Sequence, residues 1–198
     1  MAKVAIIGAG SLIFCKTLMN DFLATPALEG SEYCLMALTH KRLDKMHYFV
    51  QRMVRDNGIK ATVTKTTDRR KALKDADYVL VMIQVGGVDA FKIDYEIPLK
   101  YGVDECIADT VGPGGVFRAA RHIWALMDIA RDMQELCPDA LLINYANPMA
   151  ICCWALGTVK NLQFVGLCHG VQTTMDLIAS YTGCKKQDYD RVDIYLLK

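Results

Sequence analysis

The sequence carries almost no net charge and has no long apolar run. Its 23 Lys and Arg residues nearly balance 22 Asp and Glu residues, which leaves a formal charge of +1. No basic stripe or polybasic tail is available to meet nucleic acid or an anionic membrane, so neither is expected as a main partner. The apolar stretches have the length of strands and are too short to span a bilayer. The sequence therefore predicts a globular protein that does not depend on either surface.

The amino terminus also lacks the features of a secretory signal. The segment from Lys3 to Gly8 has no long apolar region and no following cleavage site of small residues. The eight cysteines are not spaced like a disulfide framework, and most lie in apolar surroundings, as Cys34 does beside Leu35. We expect reduced thiols and a cytoplasmic location.

Strand and helix patterns alternate along the chain. Apolar runs typical of strands covered on both faces occur at 4–8, 33–38, 61–66, 78–85, 140–145, 162–167 and 192–197. Helical patterns occur at 11–23, 41–55, 116–136 and 171–181. The alternation predicts an α/β fold with a Rossmann-like, doubly wound and mostly parallel sheet over residues 1–190. Residues 191–198 would begin a second domain that is missing or truncated.

Aromatic and imidazole side chains in the helices are read as structural. Trp124 and Trp154 fall on apolar helical faces and are predicted to lie in the core. His47 and His122 are assigned to packing or to the surface. None of these four residues is expected to act on a ligand.

A glycine-rich turn follows the first strand and opens a helix, as a dinucleotide-binding fingerprint requires. Gly8 permits the tight turn, and Gly10 lets the backbone approach a pyrophosphate beside the N–H groups of the helix start, near Ser11. Ile13 stands in place of the third glycine. Because the turn lies at the extreme amino terminus, cofactor binding is favoured over a plain strand–helix turn.

The second strand lacks the acidic residue that usually binds the adenosine ribose. Ala37 and Thr39 stand there instead, followed by Lys41 and Arg42. Three functional explanations stay open: the ribose is held in another way, a 2′-phosphate meets the two basic residues, or affinity for the cofactor has decayed. A solvated helix start is the structural alternative.

Three later segments carry groups that bind ligands. Residues 109–115 contain three glycines and a proline, which cannot continue a helix, so a loop is expected to present Asp109. Asn147 ends the fifth strand and could cap the next helix or bind a sugar hydroxyl. Cys168 and His169 follow the sixth strand, where a thiolate can hold a metal and an imidazole can move a proton. A buried structural cysteine is the alternative for Cys168.

Taken together, four motifs resemble glycoside hydrolase family 4, and within it the α-galactosidases of the melibiase type. The motifs are Gly8-Ala9-Gly10-Ser11 with Phe14, Ala108-Asp109-Thr110 with Gly112-Pro113-Gly114-Gly115, Asn144-Tyr145 with Asn147-Pro148-Met149-Ala150, and Gly166-Leu167-Cys168-His169-Gly170-Val171-Gln172. The resemblance implies an NAD-dependent route, an exception to hydrolysis by two carboxylates. NAD⁺ would oxidise the sugar 3-hydroxyl and a divalent metal, usually Mn²⁺, would polarise the ketone. A tyrosine would remove the C2 proton, and elimination, water addition and reduction would follow.

The resemblance also implies roles for individual residues and the substrate class. Cys168 would be a metal ligand, and His169 the acid that protonates the leaving group. Asn147 would bind the sugar, and Asp109 would support the basicity of the tyrosine. The residues that would cradle the pyrophosphate are Gly8, Gly10 and Ser11. Gly170 replaces the serine usual in α-galactosidases, which leaves α-glucosides and α-uronides open.

The family resembled here continues into a second domain that supplies another metal-binding His and the catalytic tyrosine, and its members form homo-oligomers. Of the tyrosines present, Tyr145 and Tyr195 lie near predicted strand ends, and neither matches the position of that base. A dehydrogenase of the lactate/malate type and a non-catalytic NAD-binding remnant are the alternatives to a glycosidase.

Overall fold

A computed structural model describes residues 1–107 and 109–183. The strands in that part of the chain are β1 (Lys3–Ile7), β2 (Glu32–Met36), β3 (Thr62–Thr66), β4 (Tyr78–Val81), β5 (Leu141–Asn144) and β6 (Phe164–Gly166). The helices are α1 (Phe14–Ala24), α2 (His40–Asp56), α3 (Arg69–Leu73), α4 (Gly87–Lys100), α5 (Gly112–Leu136), α6 (Met149–Leu156) and α7 (Gly170–Thr182), with a 3₁₀ turn at Pro26–Leu28. Strand and helix thus alternate as predicted, except that two helices follow β4, and α3 and α4 are not among the predicted helices.

The strands form one parallel sheet in the order β3-β2-β1-β4-β5-β6. β1 pairs on one side with β2, where Lys3 lies opposite Glu32, and on the other side with β4, where Val4 lies opposite Tyr78. The strand order therefore reverses between β1 and β4, which is the switch point where ligands bind in open α/β sheets.

Hydrophobic clusters cover both faces of the sheet. Ala5 and Ile7 of β1 pack into a cluster with α3, α5 and α6, whereas Val4 and Ile6 pack into another with α1 and α2. Neighbouring residues of β1 enter different clusters because successive side chains of a strand point to opposite faces. Burial on both faces explains the apolar runs, and it confirms the predicted Rossmann-like, doubly wound sheet.

The structure overturns the prediction that both tryptophans lie in the core. Trp124 of α5 is 73% exposed and Trp154 of α6 is 81% exposed. Each lies two positions from buried residues on both sides, as Trp154 does from Cys152 and Leu156. Two helical positions correspond to a rotation of about 200°, so both indole rings point away from the buried face of their helix.

The contacts divide the chain into two units, of which the first is Met1–Gly166 and the second begins at Leu167. The first unit contains the whole sheet and α1 to α6, and the second contains α7. The predicted domain boundary at residue 190 and the strand-like run 192–197 lie outside the described residues. Within the described part, none of the helices combines the length and the hydropathy needed to cross a bilayer.

Candidate active site

A cleft of about 690 Å³ opens at the carboxyl ends of β1, β4 and β5, at the switch point of the sheet. The turns after these strands and the start of α2 line it, and Gly8, Gly10 and Ser11 belong to that lining. Another cavity, of about 600 Å³, lies at the amino ends of β4 and β5 beside Asp77 and Leu141. The cleft, unlike that cavity, contains the predicted cofactor residues.

The turn after β1 requires glycine at position 8. Gly8 has a φ of +96°, and a Cβ atom there would lie 2.5 Å from the carbonyl oxygen of Met82. The N–H groups of Gly8 and Ala9 both donate to the carbonyl oxygen of Met36, at 3.0 and 2.9 Å. α1 then begins at Phe14, later than predicted, and no side chain caps its amino end. Bare backbone therefore faces the cleft, as pyrophosphate binding demands.

Asp109 and Asn147, far apart in sequence, meet at the mouth of β5. The amide Nδ2 of Asn147 donates to Oδ2 of Asp109 at 3.2 Å, and the Thr110 hydroxyl donates to Oδ1 at 2.9 Å. Asn147 also lines the cleft. The capping explanation for Asn147 is wrong, because Pro148 stands at the amino-terminal boundary of α6 and no side chain caps that helix.

The glycines at the start of α5 leave room for the loop that brings Asp109 to Asn147. The predicted loop was expected to run to Gly115, but α5 already begins at Gly112, with proline in its first turn. A Cβ atom on Gly115 would lie 2.8 Å from the carbonyl carbon of Thr110, and the Glu105 carboxylate fills the space beside Gly112. Oε2 of Glu105 accepts the N–H of Gly114 at 3.2 Å. The small residues thus let the preceding loop fold back onto the helix.

Arg118 of α5 is a site residue that the sequence reading missed. Its side chain lines the cleft although the residue is only 8% exposed, and its Nε donates to the carbonyl oxygen of Asn147 at 3.2 Å. The guanidinium carbon lies 5.4 Å from the centre of the Phe91 ring. Burial lowers the pKa of Arg118, and the nearby carboxylate of Asp109 opposes that shift. Arg118 therefore holds a positive charge beside the predicted sugar-binding amide.

His122, one turn further along α5, is fully buried and ties α5 to the turn after β4. Its Nε2 lies 3.2 Å from the backbone nitrogen of Val85, and its Nδ1 lies 2.8 Å from the carbonyl oxygen of Arg118. A backbone N–H can only donate, so Nε2 accepts and Nδ1 carries the proton. The ring is thus a neutral imidazole, and its full burial confirms the packing assignment of His122 and excludes the surface one.

The stability of the fold should fall as the pH drops below the usual pKa of histidine. Burial lowers the pKa of His122 from its ordinary value of 6.5, so the unfolded chain binds a proton that the folded chain does not. The contribution of the neutral His122 ring to the free energy of unfolding is fully present above about pH 6.5. It is lost as the pH falls towards the pKa of His122 in the folded protein. The expected slope is at most about 1.4 kcal/mol per pH unit, measured by urea unfolding from about pH 5 to 8.

The control for this prediction is His122→Asn, which removes the titrating ring. The variant should be less stable at every pH and should lose the part of the slope that His122 supplies. An unchanged slope would show that other groups cause the pH dependence.

α4 is joined to α5 by a buried ion pair. Asp94 is 1% exposed, and its two carboxylate oxygens accept from the guanidinium of Arg121 at 2.7 and 2.5 Å. These hydrogen bonds raise the pKa of Arg121. α4 begins at Gly87, which lines the cleft, so the pair fixes one wall of the cleft to the helix that carries Arg118.

Cys168 and His169 lie in the second unit, directly before α7. Both are exposed, and the N–H of Gly170 donates to Sγ of Cys168 at 3.4 Å. The backbone of His169 forms the amino-terminal boundary of α7, where its carbonyl oxygen accepts the N–H of Thr173 at 3.1 Å. The exposed thiol is therefore accessible to a metal ion or to a thiol reagent.

Cys168 should react with thiol reagents much faster than the buried cysteines. Burial raises the pKa of Cys15 to about 12 and that of Cys152 to about 11, and Cys34 is also buried. At pH 8 a thiol with the pKa of Cys152, about 11, has on the order of 100-fold less thiolate than an ordinary cysteine. Alkylation mapped by mass spectrometry measures the rates, and exposed Cys106 is the matched control. Slow labelling of Cys168 would contradict its assignment to a site.

The comparisons with known proteins agree with the geometry. A sequence model of the family 4 glycosyl hydrolases matches residues 3–184. The α-galactosidase of Rhizobium meliloti (strain 1021) is 42% identical over 191 residues, which cover 96% of this chain and 39% of that protein. The α-galactosidase of Bacillus subtilis (strain 168) is 45% identical over 179 residues, which cover 89% of this chain and 41% of that protein. The chain spans about two fifths of the length of these curated relatives.

A solved structure shares the fold. The 6-phospho-β-glucosidase of Thermotoga maritima, solved with manganese, NAD⁺ and glucose-6-phosphate, superposes with a TM-score of 0.80 at 24% identity, covering 93% of this chain and 44% of that chain. The sequence match and the relatives confirm the resemblance stated above and set aside an ordinary dehydrogenase. The chain belongs to family 4 of the glycosyl hydrolases.

Proposed function

We propose that this chain is the NAD-binding part of a glycosidase that hydrolyses α-galactosides. One observation supports the cofactor above all: Gly8, Gly10 and Ser11 line the cleft at the switch point of the sheet, and no side chain caps the start of α1 beside them. Such a bare turn fits a pyrophosphate. The substrate class follows from the two α-galactosidases that are 42% and 45% identical to the chain.

The chain's own residues would orient the sugar. Nicotinamide bound in the cleft would take up the hydride from the sugar 3-position and later return it, so that no net oxidation occurs. Asp109 holds one N–H of the Asn147 amide, which leaves its oxygen and second N–H to meet sugar hydroxyls. Arg118 adds a fixed cation next to that amide. Asp109 would then orient the substrate-binding amide in addition to supporting a base.

In this proposal Cys168 supplies a thiolate to a divalent metal and His169 protonates the leaving oxygen. The described residues contain no group of three or more His, Cys, Asp or Glu side chains that could hold a metal ion. Mn²⁺ prefers oxygen and nitrogen ligands, so one thiolate is not a manganese site. The metal site therefore requires further ligands from outside the described residues.

Tyr145 does not fit the role of the base. Its ring lies 6.0 Å from that of Phe14, and burial raises the pKa of Tyr145, which is the wrong direction for a proton acceptor. Tyr195, the other tyrosine considered from the sequence, lies outside the described residues. The base is accordingly assigned to the part of the relatives that this chain does not span, as are the surfaces for the predicted homo-oligomer.

The test is release of nitrophenol from α-galactoside, α-glucoside and α-galacturonide substrates with NAD⁺, Mn²⁺ and a reductant. The 198-residue chain is assayed alone and with the separately expressed carboxyl-terminal part of the B. subtilis α-galactosidase. We expect no turnover by the chain alone and turnover of the α-galactoside by the pair, lost in Cys168→Ser. Turnover by the chain alone would contradict the assignment of the base. Turnover of another sugar only would overturn the substrate.

A further inference from the structure

We propose that the cleft accepts a ribose 2′-phosphate, so that the chain binds NADP(H) at least as tightly as NAD(H). The inference rests on the proposed dinucleotide site and assigns its adenosine end. Dinucleotide folds that use NAD place a carboxylate at the end of β2, where it accepts the ribose 2′-hydroxyl and repels a 2′-phosphate. Here Ala37 occupies that end of the cleft, and its side chain can neither accept a hydrogen bond from the 2′-hydroxyl nor repel a 2′-phosphate.

The charge of the cleft favours an additional phosphate. Among the described residues that line it, the charged ones are Arg42 and Arg118, and none is Asp or Glu. Arg118 lies beside Asn147, and Arg42 lies beside Ala37 and Thr39 at the end of β2. The 2′-phosphate of a bound dinucleotide would thus lie near the positive charge of Arg42 at the end of β2.

The stem of Arg42 is packed against the glycine turn. A Cβ atom placed on Gly10 would lie 3.3 Å from Cβ and 3.8 Å from Cδ of Arg42, and 3.8 Å from Cβ of Ala37. Gly10, Ala37 and Arg42 therefore converge at the end of β2, in the part of the cleft assigned to the adenosine. A planar guanidinium can give a phosphate two parallel hydrogen bonds, which a lysine cannot.

The nearest carboxylate on α2 is engaged elsewhere. Asp44 accepts a hydrogen bond from Nζ of Lys65 at 2.7 Å and lies 3.9 Å from Nδ1 of His40. Within the described part of the chain, Arg42 forms no ion pair of its own. Of the two basic residues that the sequence suggested for a 2′-phosphate, Arg42 lines the cleft and Lys41 does not.

Direct titration of the 198-residue chain with NADPH and NADH, followed by fluorescence and calorimetry, tests the inference. We expect NADPH to bind at least as tightly as NADH, and its affinity to fall more steeply with added salt. Arg42→Gln should weaken NADPH by about 10- to 100-fold and NADH by less than about threefold. Ala37→Asp should reverse the preference. Adenosine 2′,5′-bisphosphate should compete better than 5′-AMP.

Lys41→Gln is the matched control, because it removes the same charge from the neighbouring position outside the cleft. It should change neither affinity by more than about threefold. NADH bound tenfold more tightly than NADPH, or equal effects of Arg42→Gln and Lys41→Gln, would overturn the inference and leave the proposed function intact. Binding of neither dinucleotide would overturn the proposed cofactor site itself.

Discussion

Gly8→Ala should abolish dinucleotide binding and destabilise the fold by about 3 kcal/mol or more. Two effects add: a side chain is strained at a φ of +96°, and the new Cβ atom would lie 2.5 Å from the carbonyl oxygen of Met82. The backbone cannot yield easily, because the Gly8 N–H donates to the carbonyl oxygen of Met36, and the N–H of Met82, directly after β4, donates to that of Ile7. Urea unfolding gives the stability, and titration with NADH in the absence of denaturant gives the binding.

The control is Gly58→Ala, at a glycine just past the end of α2. Gly58 has a φ of +64°, and a Cβ atom there would have nothing within 4 Å. The variant therefore carries the strain without the clash and should cost only about 1–2 kcal/mol, with unchanged binding. If Gly8→Ala reduced the stability no more than Gly58→Ala does, the close contact between Gly8 and Met82 would be contradicted.

Asp94→Ala should destabilise the protein by about 3–5 kcal/mol, because it leaves the guanidinium of Arg121 without its buried partner. The lower end is expected, since the Arg121 side chain retains 30% exposure and can reach some water. Binding of NADH should weaken as well, because the pair joins α4, whose first residue lines the cleft, to α5. Urea unfolding and NADH titration measure the two effects.

Glu96→Gln on the same helix is the matched control. Glu96 pairs with Lys92 at 3.4 Å, but the two side chains are 47% and 69% exposed. Exposed pairs of this kind contribute little, so the control should change stability by less than about 0.5 kcal/mol. Equal effects at the two positions would contradict the assignment of Asp94 and Arg121 as the link between the helices.

The sheet could be predicted from the sequence because its strands are covered on both faces. Ile6 and Ile7, which point to opposite clusters, are both apolar, and such runs stand out from the charged helices. The predicted run 78–85 exceeded the strand, which ends at Val81. Apolar residues continue past the end of the strand, where Met82 is buried and Ile83 and Val85 are half-buried, so composition alone does not mark where the strand ends.

The candidate site was predicted only where backbone geometry leaves a mark on the sequence. Gly8 and the glycines of α5 are such marks, and the strand-end rule correctly predicts that Asn147 lies at the cleft. Arg118 and His122 leave a weaker mark on the sequence. Together with Leu126 they are spaced four residues apart, and all three lie on the buried face of α5. In the sequence, a charged residue on an apolar helical face is not distinguished from a packing residue, although burial of an arginine requires a partner. The same helical spacing would have shown that Trp124 is exposed.

The central claim, a dinucleotide in the cleft at the end of β1, is tested most directly by nuclear magnetic resonance of the 22.1 kDa chain. Backbone amide shifts are followed during titration with NADH. The account predicts saturable shifts at Gly10, Ser11 and Gly87, which line the cleft, and none at Asp77 or Leu141 beside the cavity at the opposite edge. Shifts confined to that cavity, or no saturable shifts with either NADH or NADPH, would contradict it.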